Sequence, residues 1–271
     1  MGPTARRHDA WLILLISTSL LAWSMLAFAD GDLTLPSLCS AGTLWAPSDS
    51  LHLVLVLNSP AKFVSGWALM VAAMMPPLII APLQYVRDRS FARRRAPAMM
   101  LFVAGYAAVW MTAGLGLQAV ALAMRWAVPA PLLCLGLAAA VALGWQVSPA
   151  KQWCLNRCHR RPHLAAFGVA ASRDAFNFGL THAASCAGAC WALMLPTLLA
   201  GPGHFLAMIA VTLLVFAERL EGPAPLEWRW RGTAKAWRIV TAQARLRLAP
   251  RRFYRGGLAM KPAPARRNRW D

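Results

Sequence analysis

Three residues with metal-binding side chains follow one another at intervals of four within an otherwise apolar or small-residue segment. They are His182, Cys186 and Cys190, in the stretch from Phe178 to Met194. On an α-helix a spacing of four returns to nearly the same face, so the three side chains form one stripe. Thiolate and imidazole are ligands that suit Cu(I) and Zn(II). The segment therefore predicts a metal site on one face of a helix.

The stripe is too long for a single ion to bridge its two ends. At the standard helical rise, His182 and Cys190 lie about 12 Å apart along the axis. We therefore expect one ion to be held by His182 and Cys186, or by Cys186 and Cys190. The alternative is a packing face without metal, in which the imidazole bonds a neighbouring carbonyl, because an unsatisfied polar group in hydrocarbon costs several kcal/mol.

Methionines on an earlier apolar segment are candidates to complete the site. Met70 and Met74 stand one helical turn apart, and Met75 is followed by Pro76 and Pro77, which open the backbone. A thioether is a soft ligand suited to Cu(I), whereas cysteine and histidine alone suit Zn(II) equally. Flexible packing at a kink is the alternative interpretation of these methionines.

A second group of possible ligands stands in a basic segment, 148–163. Cys154, Cys158 and His159 have ligand character, although their spacing is not that of a standard zinc knuckle. We interpret them as a possible docking site for a metal-carrying partner. Cys39 and His52, in contrast, are isolated in the segment 30–62, where an unpaired cysteine and a solvated histidine are the simpler interpretation.

The elements that position these residues are apolar helices. The chain of 271 residues is 58% hydrophobic and 14% charged, with a mean hydropathy of +0.46. Apolar runs of roughly 18–25 residues are long enough to cross about 30 Å of hydrocarbon. We predict an all-α polytopic transmembrane helix bundle of about six spans with both termini cytoplasmic. The predicted spans are approximately 11–29, 63–82, 98–124, 131–147, 178–200 and 204–217.

Basic residues alternate with the spans in a way that sets the topology. The formal net charge is +18, and the positive charges concentrate in alternate connecting segments, such as 87–95, and in the tail 221–271. This pattern follows the positive-inside rule and predicts that the basic segments lie on the cytoplasmic side, near anionic lipid headgroups rather than nucleic acid. Residues 233–248 are expected to form a basic amphipathic helix on the inner leaflet.

Three regions follow from this division. Residues 1–62 comprise an anchor, or possible signal peptide, and an exported loop; residues 63–220 form the predicted metal-binding domain; residues 221–271 form a basic cytoplasmic tail. Within the domain we expect Gly105, Gly114 and Gly116 to allow close helix packing. Glu218, at an inner boundary, is expected to be solvated or snorkelling, since charges within the spans are nearly absent.

Residues 67–219 resemble a bacterial family of predicted metal-binding integral membrane proteins, a domain of unknown function sometimes labelled copper chaperone. The residues that carry the resemblance are Trp67, Met70, Met74 to Pro76, Ser90 to Arg95, Gly105, Tyr106, Val109, Trp110, Cys154, Cys158, Gly179 to His182, Cys186, Gly188, Cys190, Trp191 and Met194. The family usually has two adjacent cysteines before the tryptophan, but here the first is Ala189. The resemblance therefore implies a metal site with fewer thiolates than usual.

Three classes of function are compatible with these observations. The first is a Cu(I)-binding, or alternatively Zn(II)-binding, protein that handles metal and exchanges it with a metallochaperone or cuproenzyme. The second is a transporter, and the third is a structural or assembly subunit of a membrane complex without bound metal. We expect no enzymatic activity, because no Ser/His/Asp arrangement, paired carboxylates or nucleotide-binding glycine loop stands out.

Overall fold

The computed structural model describes residues 3–31, 60–230 and 234–248, and the regular structure within these ranges is helical, as predicted. The predicted exported loop falls mostly outside the described residues, together with Cys39, His52 and most of the tail. The helices are α1 (Pro3–Gly31), α2 (Pro60–Met74), α3 (Pro76–Arg89), α4 (Arg95–Ala127), α5 (Pro131–Val147), α6 (Pro149–Cys158), α7 (Gly168–Leu199), α8 (His204–Leu220) and α9 (Ala234–Leu248), with short 3₁₀ turns at Ala92–Arg94 and Gly201–Gly203.

Four helical segments are long and apolar enough to cross a membrane, and up to six spans result if each bent helix pair counts as one. Helix α2 meets α3 at a bend of 68°, and α5 meets α6 at 65°. Prolines explain both breaks, because Pro76 begins α3 and Pro149 begins α6, where proline is tolerated but cannot continue the preceding helix. The chain is therefore a multi-pass membrane protein. The side of the membrane on which the termini lie stays a prediction.

Helices α4 and α7 form the central pair and run parallel to each other. Phe102 packs on Phe178 with ring centroids 5.2 Å apart, and Tyr106, one turn later, packs on His182 at 6.2 Å. The backbones approach so closely that a Cβ added at Gly105 would lie 2.5 Å from the carbonyl oxygen of Phe176. The small-residue interface predicted at this glycine is therefore present.

The two other glycines predicted to mediate packing behave differently. Gly114 accommodates the indole of Trp67, which donates from Nε1 to the carbonyl of Trp110 at 2.8 Å. A Cβ at Gly116 would meet nothing within 4 Å, so the packing prediction is wrong for that position. The reason is the helical register, since Gly114 and Gly116 point to different sides of α4.

The segment predicted as a cytoplasmic loop, 148–163, is largely helical. Ser148 caps α6 by accepting a hydrogen bond from the backbone nitrogen of Lys151 at 3.2 Å, and Pro149 occupies the first turn. One face of α6 is buried against α7, including Lys151, Gln152 and Cys154. Helix α7 likewise begins earlier than the predicted span 178–200, because it starts at Gly168.

Helices α5 and α8 are shorter than the central pair. Each has 17 residues, about 25 Å, whereas α4 has 33 and α7 has 32, close to 50 Å. Helix α5 ends beside the middle of α7, where Trp145 Nε1 donates to the carbonyl of Gly188 at 3.0 Å. Helix α8 ends beside the same part of α5, since the Gln146 amide donates to the Glu218 carboxylate. Helix α6 covers the region where α5 and α8 end, and Arg157 and Arg219 lie there. We call this region the basic end of the bundle.

Candidate metal centre

His182 is buried among aromatic rings on α7. Its residue exposure is 4%, and its ring centroid lies 6.0 Å from Phe102, 6.2 Å from Tyr106 and 5.8 Å from Phe178. Neither Nδ1 nor Nε2 has a hydrogen-bond partner among the described residues. The alternative in which a neighbouring carbonyl satisfies this imidazole is therefore not the arrangement found. A buried ring with two unsatisfied nitrogens is costly unless a ligand completes it.

Cys186 lies one turn further along α7 and is completely buried. The hydroxyl of Tyr106 donates to its sulfur at 3.3 Å. The thiol of Cys190 donates to the Cys186 carbonyl at 3.1 Å. The structure therefore brings the Cys186 and Cys190 thiols together on the predicted face, with a phenol beside them.

The second cysteine pair folds back onto the first. A Cβ added at Gly188 would lie 2.7 Å from the sulfur of Cys154, which places α6 against the turn of α7 between Cys186 and Cys190. Cys158 lies one turn beyond Cys154 on α6 and is half-buried. The two pairs, which were predicted in separate segments, are neighbours across the α6–α7 interface.

His159 follows Cys158 at the end of α6. The residue is exposed, but partial desolvation by its neighbours lowers the pKa of its imidazole, and the positive charge of Arg219 lowers it further. A lower pKa favours the uncharged ring, which is the form that can bind a metal.

Arg219 is a residue of this site that the sequence interpretation did not identify. Nε and Nη2 of its guanidinium are buried at the end of α8, without a hydrogen-bond partner in the described part of the chain. Its positive charge interacts with Cys186, Cys158, Tyr106 and Cys190. In the sequence, an arginine at the end of an apolar helix is typical of a side chain that reaches the interface, so only the fold reveals this position.

A buried ion pair lies next to the cysteines. Lys151 Nζ contacts Glu218 Oε1 at 2.8 Å, and the Gln146 amide bonds both partners. The expectation of a solvated Glu218 is therefore wrong. The cause is the register of α6, which turns Lys151 inward at the level where α8 ends.

The predicted methionine ligands are also buried. Met70, Met74 and Met75 are 2–3% exposed and belong to the same hydrophobic core as Cys186, while α2 packs mainly on α1 and α4.

Over residues 3–31, 60–230 and 234–248, no three His, Cys, Asp or Glu side chains are grouped so as to hold an ion. The five cysteines in these ranges are free thiols. Coordination of an ion by His182 and Cys186, or by Cys186 and Cys190, together with a methionine therefore stays a prediction.

Comparison with known proteins identifies a family. The family model PpoB2, described as a copper chaperone, matches residues 64–240. No curated protein matches the chain, and no solved structure does. The matched range contains both cysteine pairs, the three methionines, His182 and Arg219.

Proposed function

The chain belongs to the PpoB2 copper chaperone family, and from this premise we propose that it binds Cu(I) within the membrane and exchanges it with a protein partner for cuproenzyme assembly or copper tolerance. Membership confirms the resemblance found in residues 67–219. Copper is here the cargo of the protein. The protein holds this ion and transfers it, and we propose no catalysed reaction for the protein.

One observation carries the proposal. His182 is buried with both ring nitrogens lacking a partner in the described structure, and it stands one turn from Cys186 on the same helix face. A purely structural histidine at such a position normally has a hydrogen bond, because leaving an imidazole unsatisfied costs free energy. An ion that takes the imidazole and a thiolate as ligands removes that cost.

The chemistry of the donors favours Cu(I). Cys186 and Cys190 supply two adjacent thiols, and Met70, Met74 and Met75 are thioethers in the same core. Thiolates and thioethers select Cu(I), whereas carboxylate and carbonyl oxygens suit magnesium or manganese. Zn(II) is the alternative cargo if only cysteine and histidine coordinate.

The basic end is the proposed site of exchange. Cys154 and Cys158 adjoin the Cys186 pair through α6, and His159 leads out of the bundle. The proposed location of the chain is the inner membrane of a bacterium. By the positive-inside rule, the basic end then faces the cytoplasm. Here an incoming metallochaperone or an apo-cuproenzyme can meet the thiols, while exposed arginines contact anionic lipid headgroups.

A transporter is the second candidate, and the buried charges favour it. Lys151, Glu218 and Gln146 form a polar cluster inside the bundle, and buried ionisable groups in membrane proteins often mark ion pathways. Uptake of Cu(I) into vesicles that contain the purified protein separates the candidates. Accumulation inside the vesicles indicates transport, whereas binding without accumulation supports a chaperone.

Anaerobic titration of the purified chain with Cu(I), in competition with a chromophoric chelator, tests the proposal. The double variant Cys186→Ala, Cys190→Ala is expected to lose the high-affinity site. The matched control is Cys134→Ala, because Cys134 is equally buried but lies near the opposite end of α5. Equal Cu(I) affinity in the double variant and the control would contradict the assigned ligands. Absence of metal binding by the unmodified chain would favour an assembly subunit.

A further inference from the structure

The guanidinium of Arg219 faces sulfur rather than carboxylate. Its Nε and Nη2 are buried, although the residue as a whole is half-buried. The Lys151–Glu218 pair holds this end of α8 against α6, and Cys154 of α6 lies against Gly188 of α7, so the guanidinium stands near the thiols of both helices. Among the described residues it takes part in no ion pair with an acid. Burying a cation without an opposite charge is expensive, so this position calls for an anion.

The neighbouring acid does not serve as that anion. Glu218 precedes Arg219 on α8, but its carboxylate is bound by Lys151 at 2.8 Å and by Gln146. The pair of Lys151 and Glu218 is neutral as a unit. The positive charge of Arg219 therefore remains in excess within the cluster.

The charge balance of a metal-loaded thiol pair supplies the missing anion. When Cys186 and Cys190 bind a metal, both thiols release their protons to solvent and become thiolates. With monovalent Cu(I), the two thiolates leave a single net negative charge on the complex, and the guanidinium neutralises it. With Zn(II), the complex itself is neutral, and the guanidinium remains uncompensated in the low-dielectric interior.

We propose that Arg219 is a specificity-determining residue, the fixed counter-cation that favours Cu(I) over Zn(II) in the thiolate site. The proposal rests on the proposed function and on one of the two ligand pairs expected from the stripe, because it assumes that Cys186 and Cys190, rather than His182 and Cys186, hold the ion. Arg219 does not coordinate the ion. It acts through the thiolates by making only the monovalent complex electrically neutral.

The test compares Cu(I) and Zn(II) affinities of the purified full-length chain, each by competition with a metal chelator. Arg219→Gln removes the charge, Arg219→Lys retains it, and Arg219→Met is a second neutral variant whose apolar side chain suits a buried position. In both neutral variants we expect Cu(I) affinity to fall by about tenfold or more, with Zn(II) affinity unchanged or increased. In Arg219→Lys most of the preference for Cu(I) should persist.

The outcomes separate the two proposals. If the unmodified chain binds Cu(I) but the neutral variants keep its ratio of Cu(I) to Zn(II) affinity, the role of Arg219 is overturned while the proposed function stands. An equal loss of both metals also overturns it, because a merely structural arginine would produce that result. If the unmodified chain binds no Cu(I), the proposed function fails, and this inference fails with it.

Discussion

The Lys151 ammonium and the Glu218 carboxylate lie 2.8 Å apart, with side chains 0% and 2% exposed. They join α6 to the end of α8, although 67 residues separate them in the sequence. The pair fixes the start of α6 and the last turn of α8. It thereby holds Arg219, the next residue, beside the thiols of α6 and α7.

Loss of one member of this pair should destabilise the protein strongly. Lys151→Met leaves the Glu218 carboxylate buried without its cation, a change that costs about 3–5 kcal/mol. Thermal unfolding of the purified protein should show a large fall in midpoint temperature. Arg160→Met is the control, because Arg160 is exposed just after α6. Adding Glu218→Leu to Lys151→Met should recover much of the loss, and equal midpoints for the Lys151 and Arg160 variants would contradict the buried pair.

Replacing His182 by phenylalanine should separate stability from metal binding. Phe102, Tyr106 and Phe178 already surround the ring, so a phenyl group fits, and the two unsatisfied nitrogens disappear. We expect the metal-free His182→Phe variant to gain about 1 kcal/mol or more in unfolding free energy. Its Cu(I) affinity should fall. Metal-free destabilisation with unchanged Cu(I) binding would show that the imidazole has a structural role.

The helical positions of the candidate metal ligands could be predicted because they depend only on local spacing. His182, Cys186 and Cys190 do share a buried face of α7, and Pro76 does break the second apolar segment. These features arise from backbone geometry within a few residues of each other. Local rules were therefore sufficient for the membrane-spanning architecture and for the stripe.

The charged part of the site could not be predicted, because it depends on contacts between distant segments. Glu218 and Arg219 at the end of an apolar helix have the pattern of solvated boundary residues, and Lys151 stands in a basic segment. Only the packing of α6 on α7 turns Lys151 inward and brings Cys154 against Gly188. Hydropathy carries no signal for that packing, although the Ser148 and Pro149 start signal for α6 was present in the sequence.

Membrane topology is tested by reporter fusions. Because basic segments are retained in the cytoplasm, a reporter fused after Asp271 should be active only as a cytoplasmic protein. The matched fusion carries the same reporter within residues 30–62, where periplasmic activity is expected. Periplasmic activity at Asp271 would overturn the predicted count of six spans with both termini inside.

The contact between Gly188 and Cys154 tests whether the two cysteine pairs adjoin. In Gly188→Ala the new Cβ would lie 2.7 Å from the Cys154 sulfur, so α6 must shift, at a cost of about 1–3 kcal/mol in unfolding free energy. In a Cys154→Ala background the nearest remaining side-chain atom is the Cβ at 3.6 Å, an ordinary contact, and the same substitution should be tolerated. Gly136→Ala is the control, since nothing lies within 4 Å of its Cβ position and alanine favours the helix.

The double-mutant cycle formed by these variants measures the coupling directly. A coupling free energy near zero between residues 188 and 154 would mean that α6 does not pack on this turn of α7. In that case Cys154 and Cys158 could not pass an ion to Cys186 without a large movement. A clear coupling, together with slower Cu(I) loading in Gly188→Ala than in Gly136→Ala, would place the second cysteine pair on the route that the ion takes to His182 and Cys186.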